Sequence, residues 1–475
     1  MSRSRARCSA VTPSFRPTLE TLENRLVMTA GLPGSIATPN LFAETSLVSN
    51  LSNQQLIAQG FSPATNPIDP QLRNPWGITE SAGGPFWVSD NNGGVSTLYN
   101  TSGAKQGLVV SIPTPIDPTG NTGSPTGDVF NGNPANFIVS ANGKSGSAVF
   151  LFATEDGTIV AWSPKVDPTH AVIAVDHSGN NFSAAALADP SKAAGAVYKS
   201  LAMATDSKGQ TFLYAANFRT GNIDQFDSSF HLVRSFSDPR LQAKGYAAFN
   251  VAVFNDKLYV TFAKQDANKH DPVAGAGKGF LDTFNLDGTG RDRLVSSGPL
   301  DAPWGLTIAP SAFGPFAAGT LLVGNFGNGE INAFNPASGK FLGSLQNEDG
   351  SPVKIDGLWA LQFGNGKAGG DANTLYFTAG LNREQDGLFG SLSPVKPTAG
   401  AEADAVLLNS LLEADPGAQR FLVVLHDRLE IREANGTLTQ GQADLEQALD
   451  IVLASASRHH NRERNDALDD LFRDL

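Results

Sequence analysis

Cysteine is almost missing from these 475 residues. Cys8 is the only one, which excludes a disulfide framework and any cysteine-built zinc or iron–sulfur centre within one chain. No stretch approaches the roughly 18 consecutive apolar residues of a membrane-spanning helix. Charge is sparse as well, at 17% of residues, and its balance is acidic: 34 Lys and Arg against 46 Asp and Glu, a net of −12. With no basic surface in prospect to displace counterions from phosphates, nucleic acid is excluded as a partner.

What the chain has in quantity is glycine, 49 residues, with 28 prolines, a composition that favours short strands joined by tight turns over helices. One unit recurs: "FWVSDNNGGVSTLY", "LFATEDGTIVAW", "LYAANFRTGNIDQF", "LYVTFAK…GFLDTF", "LLVGNFGNGEINAF" and "LYFTAGLNREQDGLFGSL". Each reads as an apolar strand, a turn holding a glycine, and a second strand. The glycines are Gly94, Gly157, Gly221, Gly279, Gly329 and Gly387, spaced by 50–64 residues. That period and strand content predict six blades of a β-propeller.

A further short strand precedes each pair and is expected to be innermost: "WGITES", "NFIVSA", "SLAMAT", "NVAVF", "WGLTIAP" and "LWALQF". Small residues there suit strands crowded around a central channel. Outer strands follow in five blades, but none follows the sixth. The missing one is read in "TSLVSNLS", Thr45–Ser52, so that an N-terminal strand closes the ring and removes two exposed sheet edges.

The fold class expected is therefore all-β: a six-bladed β-propeller over residues 42–396, closed by an N-terminal strand. Residues 1–41 carry five Arg against two Glu within the first thirty and read as an export or targeting segment. Residues 397–475 hold fifteen Asp and Glu against seven Arg and no Lys. Their apolar residues fall at helical spacing, as at Leu445, Leu449 and Leu453, giving a small α-helical appendage. A monomer in an extracellular, cell-surface or periplasmic setting is the expectation.

Two resemblances accompany this reading. Leu19, Glu20, Leu22, Glu23, Arg25 and Leu26 in "PTLETLENRL" resemble an N-terminal segment of exported planctomycete-type proteins. The stretches "DPQLRNPWGIT…FWVSDNNGGVSTLY" and "PWGLTIAP…GTLLVGNFGNGEINAF" resemble a bacterial conserved hypothetical family of exported six-bladed propellers. More distantly the blades are similar to NHL and lactonase-like propellers. The family resemblance implies the fold and no defined activity.

Function must come from the site and not from the fold. In a blade of antiparallel strands, the start of the innermost strand and the end of the second lie on one face of the disc. Residues there include Asp90, Glu155, Asn217 and Asn325 at second-strand ends, with Asn74, Asn250 and Asp301 at inner-strand starts. Either each caps its own turn by hydrogen bonds to nearby amides, or Glu155, Asn217, Asn250 and Asn325 hold a Ca²⁺ at the channel mouth. The lactonase-like resemblance implies the second arrangement, with the ion polarising an ester or lactone carbonyl. Trp76 and Trp304, in matched Pro-Trp-Gly copies, either pack between blades or form an aromatic platform at that mouth. The leading reading is a binding or scaffold module using this face for a small ligand or a protein. The alternative is a Ca²⁺-dependent hydrolase. His170, His177, His231 and His270 share no spacing that assembles a site.

Overall fold

Six four-stranded antiparallel sheets follow one another along the chain in a computed structural model. It describes residues 40–347, 350–395, 408, 422, 423, 425, 426, 429 and 442–453. Two compact units are present, and Asn40–Val395 forms the larger. In the other, 442–453 is a helix that buries Leu445 and Leu449. The N-terminal segment with its Leu-Glu repeat, and most of the C-terminal region, lie outside the described residues.

Blade one runs Pro75–Glu80, Phe86–Asp90, Val95–Tyr99 and Lys105–Ser111 from the axis outward. Blades three, four and five repeat this order from Tyr198–Thr205, Tyr246–Phe254 and Pro303–Ile308. The last blade takes Leu358–Phe363, Leu375–Ala379 and Leu388–Pro394 from the end of the disc and Phe42–Ser49 from its beginning. Phe42 pairs with Pro394 and Ser49 with Leu388, so the ring closes as the sequence predicts. Closure leaves no raw edge between the first and last blades.

Blade two departs from expectation. Its innermost strand is Pro125–Phe130, not "NFIVSA". Ile138–Ala141 pairs instead with Lys144–Ser147 in an added hairpin. Asn142 and Gly143 at its tip both have positive φ, as a tight hairpin turn requires. An alternating run marks a strand without saying which sheet it joins.

Apolar layers hold adjacent blades together. Between blades one and two, Trp87, Leu98, Phe150, Phe152 and Trp162 pack as one cluster, with Trp87 stacked on Phe150 at 3.9 Å between ring centroids. Two of the recurrent glycines show different reasons for their presence. Gly94 has φ +63°, and a Cβ there would lie 1.7 Å from the Asn121 carbonyl oxygen. Gly279 is an ordinary strand residue whose missing side chain lets Pro303 approach.

Candidate ligand site at the channel mouth

Every innermost strand breaks register near its start. The jump follows Pro75, Pro125, Tyr198, Ala248, Pro303 and Leu358, each still paired with the end of its second strand. Such bulges bend a strand and re-aim its side chains. The residues directly after those six are Trp76, Thr126, Lys199, Phe249, Trp304 and Trp359.

Four of the six are aromatic and fill the axis. Trp76 and Trp359 stack at 3.5 Å, and Trp304 meets both edge-on at 5.9 and 5.7 Å. Phe249 reaches Trp359 at 6.0 Å. All four are buried. The Trp304 indole donates to the Lys199 carbonyl at 3.0 Å, and the Trp359 indole to Asn74 Oδ1 at 2.9 Å. Trp76 and Trp304 are packed in the core, 1% and 4% exposed.

Lys199 is the single charge in that ring and is wholly buried. Its Nζ lies 5.1 Å from the centre of the Trp76 ring, in reach of a cation–π contact. The ammonium donates to Glu155 and, at 3.1 Å, to Asp271 Oδ1. Burial pushes the lysine down, but the charges of Glu155 and Asp271 outweigh it and raise it above its usual range. Asp271 is likewise pushed up by burial, yet the hydrogen bond with His270 and the lysine hold it well below the carboxylate range. His270 Nδ1 sits 2.8 Å from Asp271 Oδ1. Burial lowers that imidazole, and the Asp271 bond more than restores it, so it ends above its ordinary value.

Two asparagines extend the cluster. Asn91 donates to Glu155 Oε2 at 2.9 Å, and Asn74 to Glu384 Oε2 at 3.0 Å. Burial, helped by the charge of Glu155, pushes Glu384 up to about 6. Glu384 ends a left-handed turn in which Asn382, Arg383 and Glu384 have φ of 53°, 57° and 66°. Three successive non-glycine residues in that region are costly and persist only where the surroundings impose them. Here Asn92 grips the Glu384 carbonyl at 2.5 Å, and Asn50 bonds both Asp386 and the Gly387 amide.

Beside this cluster lies a half-open cavity of about 450 Å³, lined by Phe61, Phe326, Asn328, Lys354, Asp356 and Asn382 among others. Phe326 stacks on Trp359 at 4.2 Å, so the cavity wall continues the aromatic floor.

Of the residues singled out from sequence, Asn74, Glu155, Trp76 and Trp304 belong to this site. The others do not share it. Asp90 is buried away from solvent, accepts from Thr97 at 2.6 Å, and joins Tyr99, Asp69 and Lys105 in an internal network. Burial pushes its carboxyl well above the ordinary range. Asn217 donates to Asp224 at 3.0 Å. Asn325 accepts from the Asp301 amide at 3.1 Å and donates to the Pro299 carbonyl at 2.7 Å. Asn250 is engaged by Ser200 and by the Trp304 carbonyl. The four oxygens proposed for Ca²⁺ thus do not form one ligand set: three serve separate local bonds, and Glu155 faces the lysine. Among the described residues, the group placed closely enough to hold a metal is Glu155, His270 and Asp271, and the Lys199 ammonium already bonds two of its three members.

Sequence reasoning missed Lys199, Asn91, His270, Asp271 and Glu384. The first was accessible, since "VYKSLAMAT" aligned on "NPWGITES" puts lysine where tryptophan stands. The others come from loops of unequal length that bring no shared spacing.

Fold and site define a six-bladed β-propeller with a charged mouth above an aromatic plug. The chain belongs to the family of the uncharacterized protein R648 of Acanthamoeba polyphaga mimivirus, with which it is 34% identical over 356 residues, 73% of this chain and 78% of that protein. Uncharacterized protein L690 of the same virus is 32% identical over 332 residues, 68% of this chain and 81% of its own length. These relatives correct the bacterial, planctomycete-type assignment: about ten residues of common types specify no lineage, whereas the long matches lead to viral proteins. No protein-family model matches the chain. Virginiamycin B lyase from Staphylococcus aureus is similar at 14% identity and a TM-score of 0.40, over 74% of this chain and 99% of that one.

Proposed function

We propose that the protein is an exported binding module that holds a small ligand rich in hydroxyl or amine groups at the channel mouth. The observation that supports it most is convergence. Asn74, Asn91, Glu155, Lys199, Asp271 and Glu384 come from five blades to one layer, over aromatic rings and beside a cavity of about 450 Å³. A concave site with an aromatic wall and a few directed polar groups suits a small molecule better than a flat protein surface. The exposed groups are mostly hydrogen-bond acceptors, which select donors on the ligand. Export is inferred from the net positive charge of the first thirty residues.

Thermal unfolding in the presence of hexoses, disaccharides, polyols and polyamines tests the binding. A ligand at about 100 times its Kd adds roughly 2.7 kcal/mol to stability. That gain is expected to vanish in Phe326→Ala and Asn382→Ala. A panel in which every member leaves the wild-type transition unmoved would sink the proposal for these ligand classes. Fractionation of cells expressing the full chain tests export, and a wholly intracellular product would refute it.

A further inference from the structure

The register jump is the same in four blades, running from Pro75 to Ile78, Pro125 to Asp128, Tyr198 to Leu201 and Leu358 to Leu361. Three of these four blades resume pairing with a branched apolar residue. Blade two resumes with Asp128, which is 7% exposed and whose two carboxylate oxygens have no hydrogen-bond partner among the described residues. A buried carboxylate without a partner is strongly disfavoured, so each such group in a folded protein calls for an explanation.

Its surroundings supply one. Asp128 faces blade one, since a Cβ on Gly77 would lie 2.3 Å from Asp128 Oδ1 and 2.6 Å from the Thr126 carbonyl oxygen. On the facing surface of blade one, Ser89 and Ser96 are direct register partners, two positions from the pair Trp87 and Leu98. Trp87 and Leu98 pack with Phe152, the register partner of Asp128. Both serine side-chain oxygens are buried and unpartnered among the described residues. Four orphaned oxygens from three residues therefore occupy one interface between two blades.

We propose that Asp128, Ser89 and Ser96 form a binding site for a small hard cation of the sodium or calcium class, buried between the first two blades. The donor set is oxygen only, as such ions prefer. A proton on Asp128 would let that one carboxyl donate a single bond and leave the other oxygens as they are. A cation draws on the carboxylate and both hydroxyls together. The site is separate from the channel mouth and does not depend on the function proposed above.

The test uses the full chain, stripped with a chelator and exchanged into choline chloride. Melting is then followed as sodium chloride or calcium chloride replaces choline at constant ionic strength. Wild type is expected to rise by several degrees with one of the two salts, which identifies the ion, and elemental analysis of the calcium-loaded protein reports its stoichiometry where calcium is that salt. Asp128→Asn, which keeps shape and loses charge, abolishes the rise, and the Ser89→Ala, Ser96→Ala double variant shifts its midpoint to at least tenfold higher salt. The rise must survive Glu155→Gln, which disarms the Glu155, His270 and Asp271 group at the mouth. A wild-type transition indifferent to both salts overturns the proposal, as does a rise that persists in Asp128→Asn.

Discussion

Lys199 stands at an axial position that tryptophan or phenylalanine fills in four of the six blades. Its ammonium sits against Glu155 and Asp271, and removing a buried charge from such a group leaves its partners uncompensated. Lys199→Met is expected to lower stability in urea titration. Asp271 remains 63% exposed and Glu155 14%, so the loss should fall at the lower end of the roughly 3–5 kcal/mol typical of broken buried pairs. Adding Glu155→Gln to Lys199→Met should recover part of it, as a double-mutant cycle would read. Glu384 gives a pH signature. Its carboxyl is raised from 4.5 to about 6 in the folded state, so its contribution is complete below pH 4.5 and is lost as pH rises through 6. Relative to Glu384→Gln, wild type should weaken by on the order of 2 kcal/mol across that window. Parallel stability curves for the two proteins would contradict this.

At the scale of elements, the left-handed turn Asn382–Glu384 is the most strained piece of backbone around the site. Glycine adopts that conformation freely, while an ordinary residue in it costs about 1–2 kcal/mol, offset by glycine's greater entropy in the unfolded chain. Arg383→Gly is therefore expected to stabilise by up to about 1 kcal/mol in denaturant melts, and a loss of stability would show that the turn is not strained. Elements also show where the sequence could be read. Five innermost strands were legible because glycine or small residues beside a bulky one recur in "PWGIT", "SLAMAT" and "PWGLT". Blade two hid its own, since Thr126 replaces the tryptophan and Asp128 the apolar residue, while the hairpin at Ile138–Ala141 supplied a better alternating pattern. The mouth cluster was mostly illegible. Residues such as Asp271 and Glu384 reach it through loops, and only the closed ring brings those loops together.

For the molecule as a whole, closure rests on pairing between residues about 350 apart, and contacts so distant in sequence make folding slow. Deleting residues 1–49 removes the outer strand of the last blade and uncovers the edge of Leu388–Pro394. That variant is expected to associate through the freed edge, visible as higher-mass species in size-exclusion chromatography. A synthetic peptide spanning 40–52 should reverse that association by refilling the gap. Association that the peptide leaves unchanged would mean that the freed edge is not what drives it.

The same seam fixes how the disc can be held. Phe42 and Pro394 lie together at the end of the last blade remote from Glu155 and Lys199, and the Val395 amide bonds the Leu41 carbonyl at 2.9 Å. Asn40 and Val395, the two ends of the propeller unit, thus lie side by side on the face opposite the mouth. A tether joined to the propeller unit at Asn40 or Val395 would leave the opposite face, with Glu155 and Lys199, open.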